Sequence, residues 1–347
     1  MDRPDLSNIP QSVLEYIEFL ESKIGQIKSI NRDRAEASQS SDSTPLNPEP
    51  PTSAQILTLS KLGFAKRTFR HLYLPQHRGG TGNLDLEVDN VDEHLLAADL
   101  DKATTLLVFS NQGRVFRIPL TRIPEKALRE QGEWIWERIE LNTGEKAAAV
   151  LSLQAAGFVT MITRHGRIRS LRHHLFGEHM RPGMSVFSPQ EHGDLVAACW
   201  TPGDADILVS TRQGMGIRFS EKSIPPLGDQ AIKLAEGDEI ASLAPVYDQT
   251  EVFIASADGR GATRAMNGFA PNKKMGGSGK ILMKSNAVVG VVPVRPDDHI
   301  FELTRQGKII RFPAHEVPVT EAPVQGVNCI LLRGDEVISV IKSGRNG

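Results

Sequence analysis

Leu59-Ser-Lys-Leu-Gly63-Phe-Ala-Lys-Arg67 is the first of six related stretches in this chain. Each has an apolar or β-branched run, a glycine, and then a run of mixed basic and apolar residues. This pattern is typical of a β-hairpin, because the glycine supplies the positive φ that a tight turn requires. The other five stretches are Ser110-Asn-Gln-Gly113-Arg-Val-Phe-Arg117, Thr163-Arg-His-Gly166-Arg-Ile-Arg169, Thr211-Arg-Gln-Gly214-Met-Gly-Ile-Arg218, Ser256-Ala-Asp-Gly259-Arg-Gly-Ala-Thr-Arg264 and Thr304-Arg-Gln-Gly307-Lys-Ile-Ile-Arg311.

The spacing of the turn glycines indicates a repeat architecture. Successive glycines are 50, 53, 48, 45 and 48 residues apart. A repeat of about 50 residues that is rich in short strands is typical of a propeller-like array. A second marker follows in each repeat, a turn and then a strand of small apolar residues, as in Glu236-Gly-Asp-Glu-Ile-Ala-Ser-Leu-Ala-Pro245. We expect this strand to lie nearest the central axis, so the sequence predicts an all-β fold of six blades.

The first 55 residues differ from the repeats. Residues 1–34 are predicted to hold a short coiled-coil-like helix over 10–31, and residues 35–55 are a Ser/Pro-rich stretch expected to be a disordered, flexible linker. The blades are expected over 56–343. The helix could pack on a second copy of the chain, on the blades or on another protein, and its apolar seam does not distinguish these. The seam residues are Val13, Ile17, Leu20, Ile24 and Ile27.

Charge and hydropathy limit the classes of partner. The net charge of the 347 residues is −2, with five basic and nine acidic residues in 1–55 and hence 40 − 5 = 35 basic and 42 − 9 = 33 acidic residues in 56–347. A phosphate-binding surface must therefore be a local stripe rather than a basic domain. No apolar run reaches the roughly 18 residues that a membrane helix needs, and the N-terminus lacks a secretory signal. We expect a cytoplasmic protein.

Basic residues recur in the second half of each hairpin. Their recurrence in every blade predicts a rim of cations on the outside of the ring, which suits the backbone of a curved duplex because phosphates are contacted without base readout. The alternative is that these basic residues lie on solvent-exposed strand edges, where their charge prevents pairing with another chain. The candidate residues are Lys66, Arg67, Arg114, Arg117, Arg167, Arg169, Arg218, Arg260, Arg264, Lys308 and Arg311.

One loop resembles a known family. Gln76-His77-Arg78-Gly79-Gly80-Thr81-Gly82, with Gly63-Phe-Ala-Lys-Arg-Thr68 before it, resembles the gyrase A C-terminal domain, whose first blade carries a Gly-Tyr-Gly-Lys-Arg-Thr turn and a Gln-Arg-Arg-Gly-Gly-Lys-Gly box. The resemblance covers about 56–343. It implies a β-pinwheel, a six-bladed relative of the propeller with strands exchanged between blades, and DNA wrapped around its basic perimeter.

The same resemblance implies a DNA-binding role for the box. On that basis Gln76, His77, Arg78, Gly79, Gly80 and Gly82 are expected to bind DNA. His77 and Thr81 stand where the family has Arg and Lys, so the loop keeps one fixed charge and should bind DNA more weakly. The alternative is a loop that merely joins blades.

A second glycine-rich loop lies in the fifth repeat. Gly276-Gly-Ser-Gly-Lys280 is not a nucleotide-binding loop, because Ile281 follows the lysine and Lys274 stands where that motif needs glycine. We interpret it as an echo of the box, with Lys273, Lys274 and Lys280 near backbone phosphates. Five histidines fall within 165–192 without metal-type spacing, so no metal and no cofactor is expected.

These features predict non-catalytic, largely sequence-independent binding and bending or wrapping of duplex DNA, linked to DNA topology. No tyrosine follows an arginine, as the gyrase nucleophile does, so no enzyme is expected. Expected partners are duplex DNA, a second copy through residues 10–31 and type II topoisomerase subunits, with no membrane, at the nucleoid. The alternatives are a protein-interaction propeller without a DNA role, or an accessory domain supplied in trans to a type II topoisomerase.

Overall fold

The computed structural model describes residues 46–86, 93–97, 100, 103–137, 139–272 and 274–344. The predicted helix over 10–31, most of the predicted linker and Lys273 lie outside these ranges. Within them, no helix is both long enough and apolar enough to span a bilayer. The described α-helix, α1, is a single turn at Pro189–His192.

Six antiparallel hairpins form the framework, as the glycine pattern predicted. Each turn glycine has a positive φ, from 72° at Gly113 to 106° at Gly63. The first hairpin strands are β1 (Gln55–Ser60), β5 (Thr105–Ser110), β9 (Phe158–Thr163), β13 (Asp206–Thr211), β17 (Glu251–Ser256) and β21 (His299–Thr304). The second hairpin strands are β2 (Phe64–Phe69), β6 (Arg114–Pro119), β10 (Arg167–Arg172), β14 (Met215–Ser220), β18 (Arg260–Ala265) and β22 (Lys308–Pro313).

A third strand lines the axis of each blade. It pairs with the first hairpin strand, and successive third strands contact one another around the ring, including the last with the first. This confirms that the small apolar strands are innermost. They are β4 (His94–Ala97), β8 (Ala147–Ser152), β12 (Leu195–Thr201), β16 (Ile240–Val246), β20 (Val288–Val294) and β25 (Val337–Ser343).

The outermost strand of each blade comes from another repeat. It pairs with the second hairpin strand and is contributed by the repeat that follows in the ring. This exchange is the β-pinwheel arrangement. The exchanged strands are β3 (Asn83–Leu84), β7 (Glu133–Trp134), β11 (Met184–Ser185), β15 (Asp229–Gln230), β19 (Lys280–Ile281) and, in blade 5, both β23 (Val319–Thr320) and β24 (Val327–Asn328).

Strand β3 closes the ring. It belongs to the first repeat but pairs antiparallel with β22 of blade 6, with Asn83 opposite Ile309 and Leu84 opposite Lys308. The ring therefore joins its two ends by the same exchange that joins its neighbouring blades. Blades are numbered 1 to 6 by their hairpins.

A 3-10 turn follows the second hairpin strand of every blade. These turns are Arg70–Leu72, Leu120–Arg122, His173–Phe176, Glu221–Ser223, Met266–Gly268 and Ala314–Glu316. The chain then runs outward to the exchanged strand. We call these stretches the outer segments: residues 70–82, 120–132, 173–183, 221–228, 266–279 and 314–326.

The blades meet through hydrophobic seams and surround a central channel. At the seam of blades 1 and 2, for example, Leu57 and Leu59 pack with Phe116 and Trp136. The channel has a volume of about 1390 Å³ and is lined by the six inner strands. Small side chains such as Ala198 suit this position, because neighbouring inner strands converge on the axis.

The described end of the expected linker is held in place rather than free. Glu49 forms ion pairs with Arg70 of blade 1 and with Arg311 of blade 6, and its Oε2 lies 2.7 Å from Nη1 of Arg311. Strand β1 begins at Gln55, inside the predicted linker. The expectation of a flexible tether is therefore wrong for the part from Glu49 onward, since the Glu49 carboxylate forms ion pairs with two buried guanidinium groups there.

Candidate nucleic-acid interface

Four of the predicted rim cations are buried. The exposed fractions of Lys66, Arg218, Arg264 and Arg311 are 1%, 2%, 5% and 3%. The expectation that they present their charges to solvent on the rim is therefore wrong. Each is held by carbonyl oxygens or carboxylates of the protein, as burial of a charge requires.

Arg218 clasps the next blade. Its Nη1 donates to the carbonyl oxygens of Met266 at 2.9 Å and Phe269 at 3.3 Å, both in the outer segment of blade 5. Its Nε lies 2.9 Å from Oδ2 of Asp206, and its Nη2 lies 2.6 Å from Oδ1 of Asp248. This side chain joins two blades and has little capacity left for a phosphate.

The same clasp recurs at other seams. Nη1 of Arg311 donates to the carbonyl oxygens of Arg70 and Tyr73, each at 3.2 Å, and Nε of Arg67 donates to that of Ile123 at 2.7 Å. All three acceptors belong to the outer segment of the next blade, in the 3-10 turn or directly after it. Arg67, Arg218 and Arg311, each fourth after its turn glycine, thus stabilise the ring.

Not all the hairpin arginines share one face. Arg67, Arg117, Arg218 and Arg311 are fourth after the glycine, but Arg169 is third and Arg264 is fifth. Side chains alternate between the two faces of a strand, so the third and fifth positions point away from the fourth. The expected single rim of these residues is therefore wrong in geometry as well as in exposure.

Lys66 belongs to a buried polar cluster. Its Nζ lies 2.9 Å from Oδ1 of Asp85 and donates to the carbonyl oxygen of Ala127 at 3.2 Å. Tyr73 donates its hydroxyl to the same carboxylate at 3.2 Å. Burial, and then the charge of Asp85, raise the pKa of Tyr73 well above its ordinary value. The cluster fixes the chain that follows β3.

Arg264 anchors an exchanged strand. Its Nη1 donates to the carbonyl oxygens of Ile281 at 2.6 Å and Leu282 at 2.8 Å, and its guanidinium lies 4.8 Å from the ring centroid of Phe269. Burial lowers the pKa of Arg264.

The remaining hairpin cations are half-buried. Arg114 pairs with Glu145 at 2.7 Å, Arg167 lies 3.7 Å from Asp229, and Arg169 donates to the carbonyl oxygen of Val186 at 2.8 Å. These contacts leave only part of each guanidinium accessible. Arg67, Arg117, Arg260 and Lys308 are half-buried in the same way.

The box lies at the junction of the first and sixth repeats. The backbone N–H of Arg78 donates to Oε2 of Glu316 at 2.7 Å, and Nδ1 of His77 lies 2.7 Å from Oε1 of the same residue. The Arg78 guanidinium donates to the carbonyl oxygens of Glu316 at 3.0 Å and Asn328 at 3.2 Å. The side chains of His77 and Arg78 thus contact the protein, and Gln76 accepts a bond from the Gly82 N–H at 3.2 Å.

The glycines of the box allow its backbone to lie close to neighbouring protein atoms. Gly79 and Gly82 have φ of 81° and 68°. A side chain at Gly82 would meet the backbone of Ile309, with the carbonyl oxygen 3.1 Å from the added carbon, and one at Gly80 would lie 2.4 Å from Oε1 of Gln76. The loop geometry supports the alternative that the box joins blades, and its DNA-binding role stays a prediction.

Some exposed cations lie on the outer segments and beside them, and others, such as Lys146, Arg212 and Arg333, lie outside these segments. Of the predicted residues, Lys274 and Lys280 are exposed. The sequence analysis considered only basic residues of the hairpins and of the two glycine-rich loops, and so missed other exposed cations on and beside the outer segments. The stretch between the hairpin and the exchanged strand recurs in every repeat, and this recurrence could have drawn attention to them. The missed residues are Arg122, Arg129, Arg172, Arg181, Lys222 and Lys284. The described part of the chain contains no group of three or more potential metal ligands.

Comparison with known proteins points to one family. The family model described as DNA gyrase C-terminal domain, beta-propeller matches residues 54–93, 104–127, 205–246 and 298–343. The DNA gyrase A protein of Mycolicibacterium smegmatis is 25% identical over 307 residues, covering 84% of this chain and 36% of that protein. The DNA gyrase A protein of Staphylococcus aureus (strain NCTC 8325) is 27% identical over 301 residues, covering 82% of this chain and 34% of that protein. The chain thus spans about a third of these relatives.

Solved structures share the fold. A structure of the DNA gyrase A C-terminal domain aligns with a TM-score of 0.68 and 21% identity, covering 83% of this chain and 99% of that one. A crystal structure of the C-terminal domain of DNA topoisomerase IV aligns with a TM-score of 0.56 and 19% identity, covering 84% and 93%. The segments that the family model matches lie in blades 1, 2, 4 and 6 of this ring, and the chain belongs to the DNA gyrase A C-terminal domain family.

Proposed function

We propose that this protein binds duplex DNA on the outer segments of its blades, without base specificity and without cutting it, and bends the duplex around the ring. The observation that carries the proposal is the position of the exposed cations. Arg122, Arg129, Arg181, Lys222 and Lys274 lie on four different outer segments. Positive charge is therefore distributed around the perimeter rather than gathered on one blade.

The arrangement suits contacts to the phosphate backbone. Exposed lysine and arginine side chains attract phosphates without reading bases, and each neutralised phosphate releases condensed counterions. A perimeter that carries cations at successive blades holds a duplex at several points along a curve, and these contacts offset the elastic cost of bending. Acidic residues such as Glu130 and Glu321 interrupt the path, so we expect moderate affinity.

Family membership supports the same function. The relatives and neighbours are named as subunits or domains of DNA gyrase and DNA topoisomerase IV. We propose that this protein acts on DNA topology together with type II topoisomerase subunits. Co-purification of the full chain with a catalytic core would support that partnership, and its absence at equal expression would contradict it.

Titration of a labelled duplex with the full chain at several salt concentrations tests DNA binding. We expect the logarithm of the association constant to fall linearly with the logarithm of salt, with a slope near −0.9 for each phosphate neutralised. Absence of binding at low salt would overturn the proposal.

Relaxation of a plasmid by a type I topoisomerase in the presence of the protein tests bending. We expect a shift in linking number that depends on protein concentration. Binding without any shift would retain the DNA-binding part and reject the bending part.

A further inference from the structure

Two loops, one at the junction of blades 6 and 1 and one at the junction of blades 4 and 5, carry positive-φ glycines at matching positions. The box, Arg78-Gly79-Gly80-Thr81-Gly82, leads into β3, and Met275-Gly276-Gly277-Ser278-Gly279 leads into β19. The first and last glycines of the two runs have φ of 81° and 68° in the box and 82° and 73° in the second loop. We call the second loop, with its flanking residues 274–280, the blade-5 loop.

The hydrogen bonds of the two loops also correspond. The Gly79 N–H donates to the carbonyl oxygen of Cys329 at 2.6 Å, and the Gly276 N–H donates to that of Ala231 at 2.8 Å. The carbonyl oxygen of Gly277 accepts a bond from the Lys233 N–H at 2.9 Å, as that of Gly80 does from the Leu331 N–H at 2.8 Å. Each loop is therefore hydrogen-bonded in the same way to the residues that follow the exchanged strand of the preceding repeat.

Their charges differ. In the box, the Glu316 carboxylate contacts the His77 ring and the Arg78 backbone N–H, and the Arg78 guanidinium donates to the Glu316 carbonyl oxygen, so an acid lies beside the loop's fixed charge. The blade-5 loop carries exposed lysines at 274 and 280. Exposed Lys233 lies next to this loop, just after strand β15. Lys280 donates to the carbonyl oxygen of Ala270 at 2.8 Å, and within the described ranges it forms no ion pair with an acid.

The surrounding sequence is free of acidic residues. Between Asp258 and Asp297 the chain contains seven lysines and arginines and no aspartate or glutamate. By contrast, the outer segment of blade 6, which faces the box, supplies Glu316 and Glu321. Exposed Asp229 lies in the segment beside the blade-5 loop, but it is 3.7 Å from Arg167, so a phosphate approaching this loop meets less local repulsion than one approaching the box.

We propose that the blade-5 loop is the principal phosphate-contacting loop of this protein, and that the box serves mainly to close the ring. The ligand is the sugar-phosphate backbone of duplex DNA, and the contacting side chains are Lys233, Lys274 and Lys280. This inference rests on the proposed DNA-binding function and names the loop that contributes most to binding the DNA backbone.

The test is a comparison of two charge-matched variants of the full chain. In the first, Lys233, Lys274 and Lys280 are replaced by glutamine. In the second, the replaced residues are Lys146, Arg212 and Arg333, which are exposed cations outside the outer segments. A third variant, Arg78→Gln, addresses the box. Thermal unfolding of each variant establishes that it folds before its DNA binding is measured.

We expect the first variant to make the salt slope of DNA binding shallower by about 2 to 3, since each lost phosphate contact removes about 0.9. The second variant should retain a slope close to that of the unmodified chain, and so should Arg78→Gln. Equal slopes in the first and second variants, or a larger loss from Arg78→Gln, would overturn this inference while leaving DNA binding intact. Failure of the unmodified chain to bind DNA would instead overturn the proposed function.

Discussion

The Glu316 carboxylate accepts a hydrogen bond from the backbone N–H of Arg78 at 2.7 Å, across 238 residues of sequence. The contact joins the outer segment of blade 6 to the box of the first repeat. Its other oxygen lies 2.7 Å from Nδ1 of His77, and the Glu316 side chain is 15% exposed. One acidic side chain thus fastens the loop that closes the ring.

Glu316→Ala should weaken ring closure. Removal of the carboxylate deletes the acceptor of the Arg78 N–H and the contact with the His77 ring, and we expect the free energy of unfolding to fall by about 1 to 3 kcal/mol. Chemical denaturation measures this change. Glu321→Ala, at an exposed position of the same outer segment, is the matched control and should change stability by less than about 0.5 kcal/mol. Equal effects would show that Glu316 does not fasten the loop.

Glu49→Gln should destabilise the junction of blades 6 and 1. The variant removes the carboxylate that pairs with the buried guanidinium groups of Arg70 and Arg311, at an expected cost of about 2 to 4 kcal/mol. Thermal and chemical unfolding at neutral pH measure it. An unchanged stability would mean that the segment before β1 does not hold the ring.

The same contact gives a pH dependence. Partial burial of Glu49 would raise its pKa, but the hydrogen bonds and charges of Arg70 and Arg311 outweigh burial and lower it. A lowered pKa stabilises the folded state above the unfolded pKa of about 4.3, and this contribution is lost as pH falls through the folded value. The stability difference between the unmodified chain and Glu49→Gln should therefore shrink below about pH 4. A stability difference between the two proteins that does not change with pH would contradict a lowered pKa of Glu49 in the folded state.

Glu302→Met should stabilise the protein. Both carboxyl oxygens of Glu302 are buried without a hydrogen-bond partner among the described residues, and the corresponding position of blade 3 is Met161. Burial, and then the charge of Asp258, raise the pKa of Glu302 well above its ordinary value. We expect a gain of about 1 to 3 kcal/mol at neutral pH, because a buried polar group without partners is costly.

The sign of the pH effect is opposite to that at Glu49. A raised pKa means that the folded state binds the proton more tightly, so the acid destabilises the fold as pH rises above about 4.3. The advantage of Glu302→Met should thus increase from acidic to neutral pH, as followed by denaturation at several pH values. If the stability difference between Glu302→Met and the unmodified chain did not change with pH, packing alone would explain it.

Arg218 and Arg181 should separate stability from DNA binding. Arg218→Ala removes the clasp between blades 4 and 5 and leaves Asp206 without its partner, so we expect a loss of about 3 kcal/mol in stability. Arg181→Gln, at an exposed site, should leave stability unchanged but make the salt slope of DNA binding shallower by about 0.9. Unfolding and salt-dependent titration of both variants give the comparison. A slope change in folded Arg218→Ala would contradict the structural role.

Much of the fold could be predicted from local pattern. The six turn glycines, Gly63 to Gly307, mark hairpins because a positive φ is a local requirement, and the small residues of strands such as Leu195–Thr201 mark the inner position because crowding at the axis limits volume. The site was harder to predict. Arginine in a strand has the same sequence signature whether it faces solvent or a neighbouring blade.

The sequence by itself determined the number of blades, their order and the family, since these follow from repeated short patterns. Only the tertiary structure decided which cations are accessible. Arg218 and Arg311 are buried because carbonyl oxygens of another blade meet them, whereas Lys274 is exposed. The acids that hold the ring, Glu49 and Glu316, are likewise distant in sequence from their partners. Charge is a property of a residue, but its availability to a phosphate depends on which distant groups the fold brings within a few ångströms.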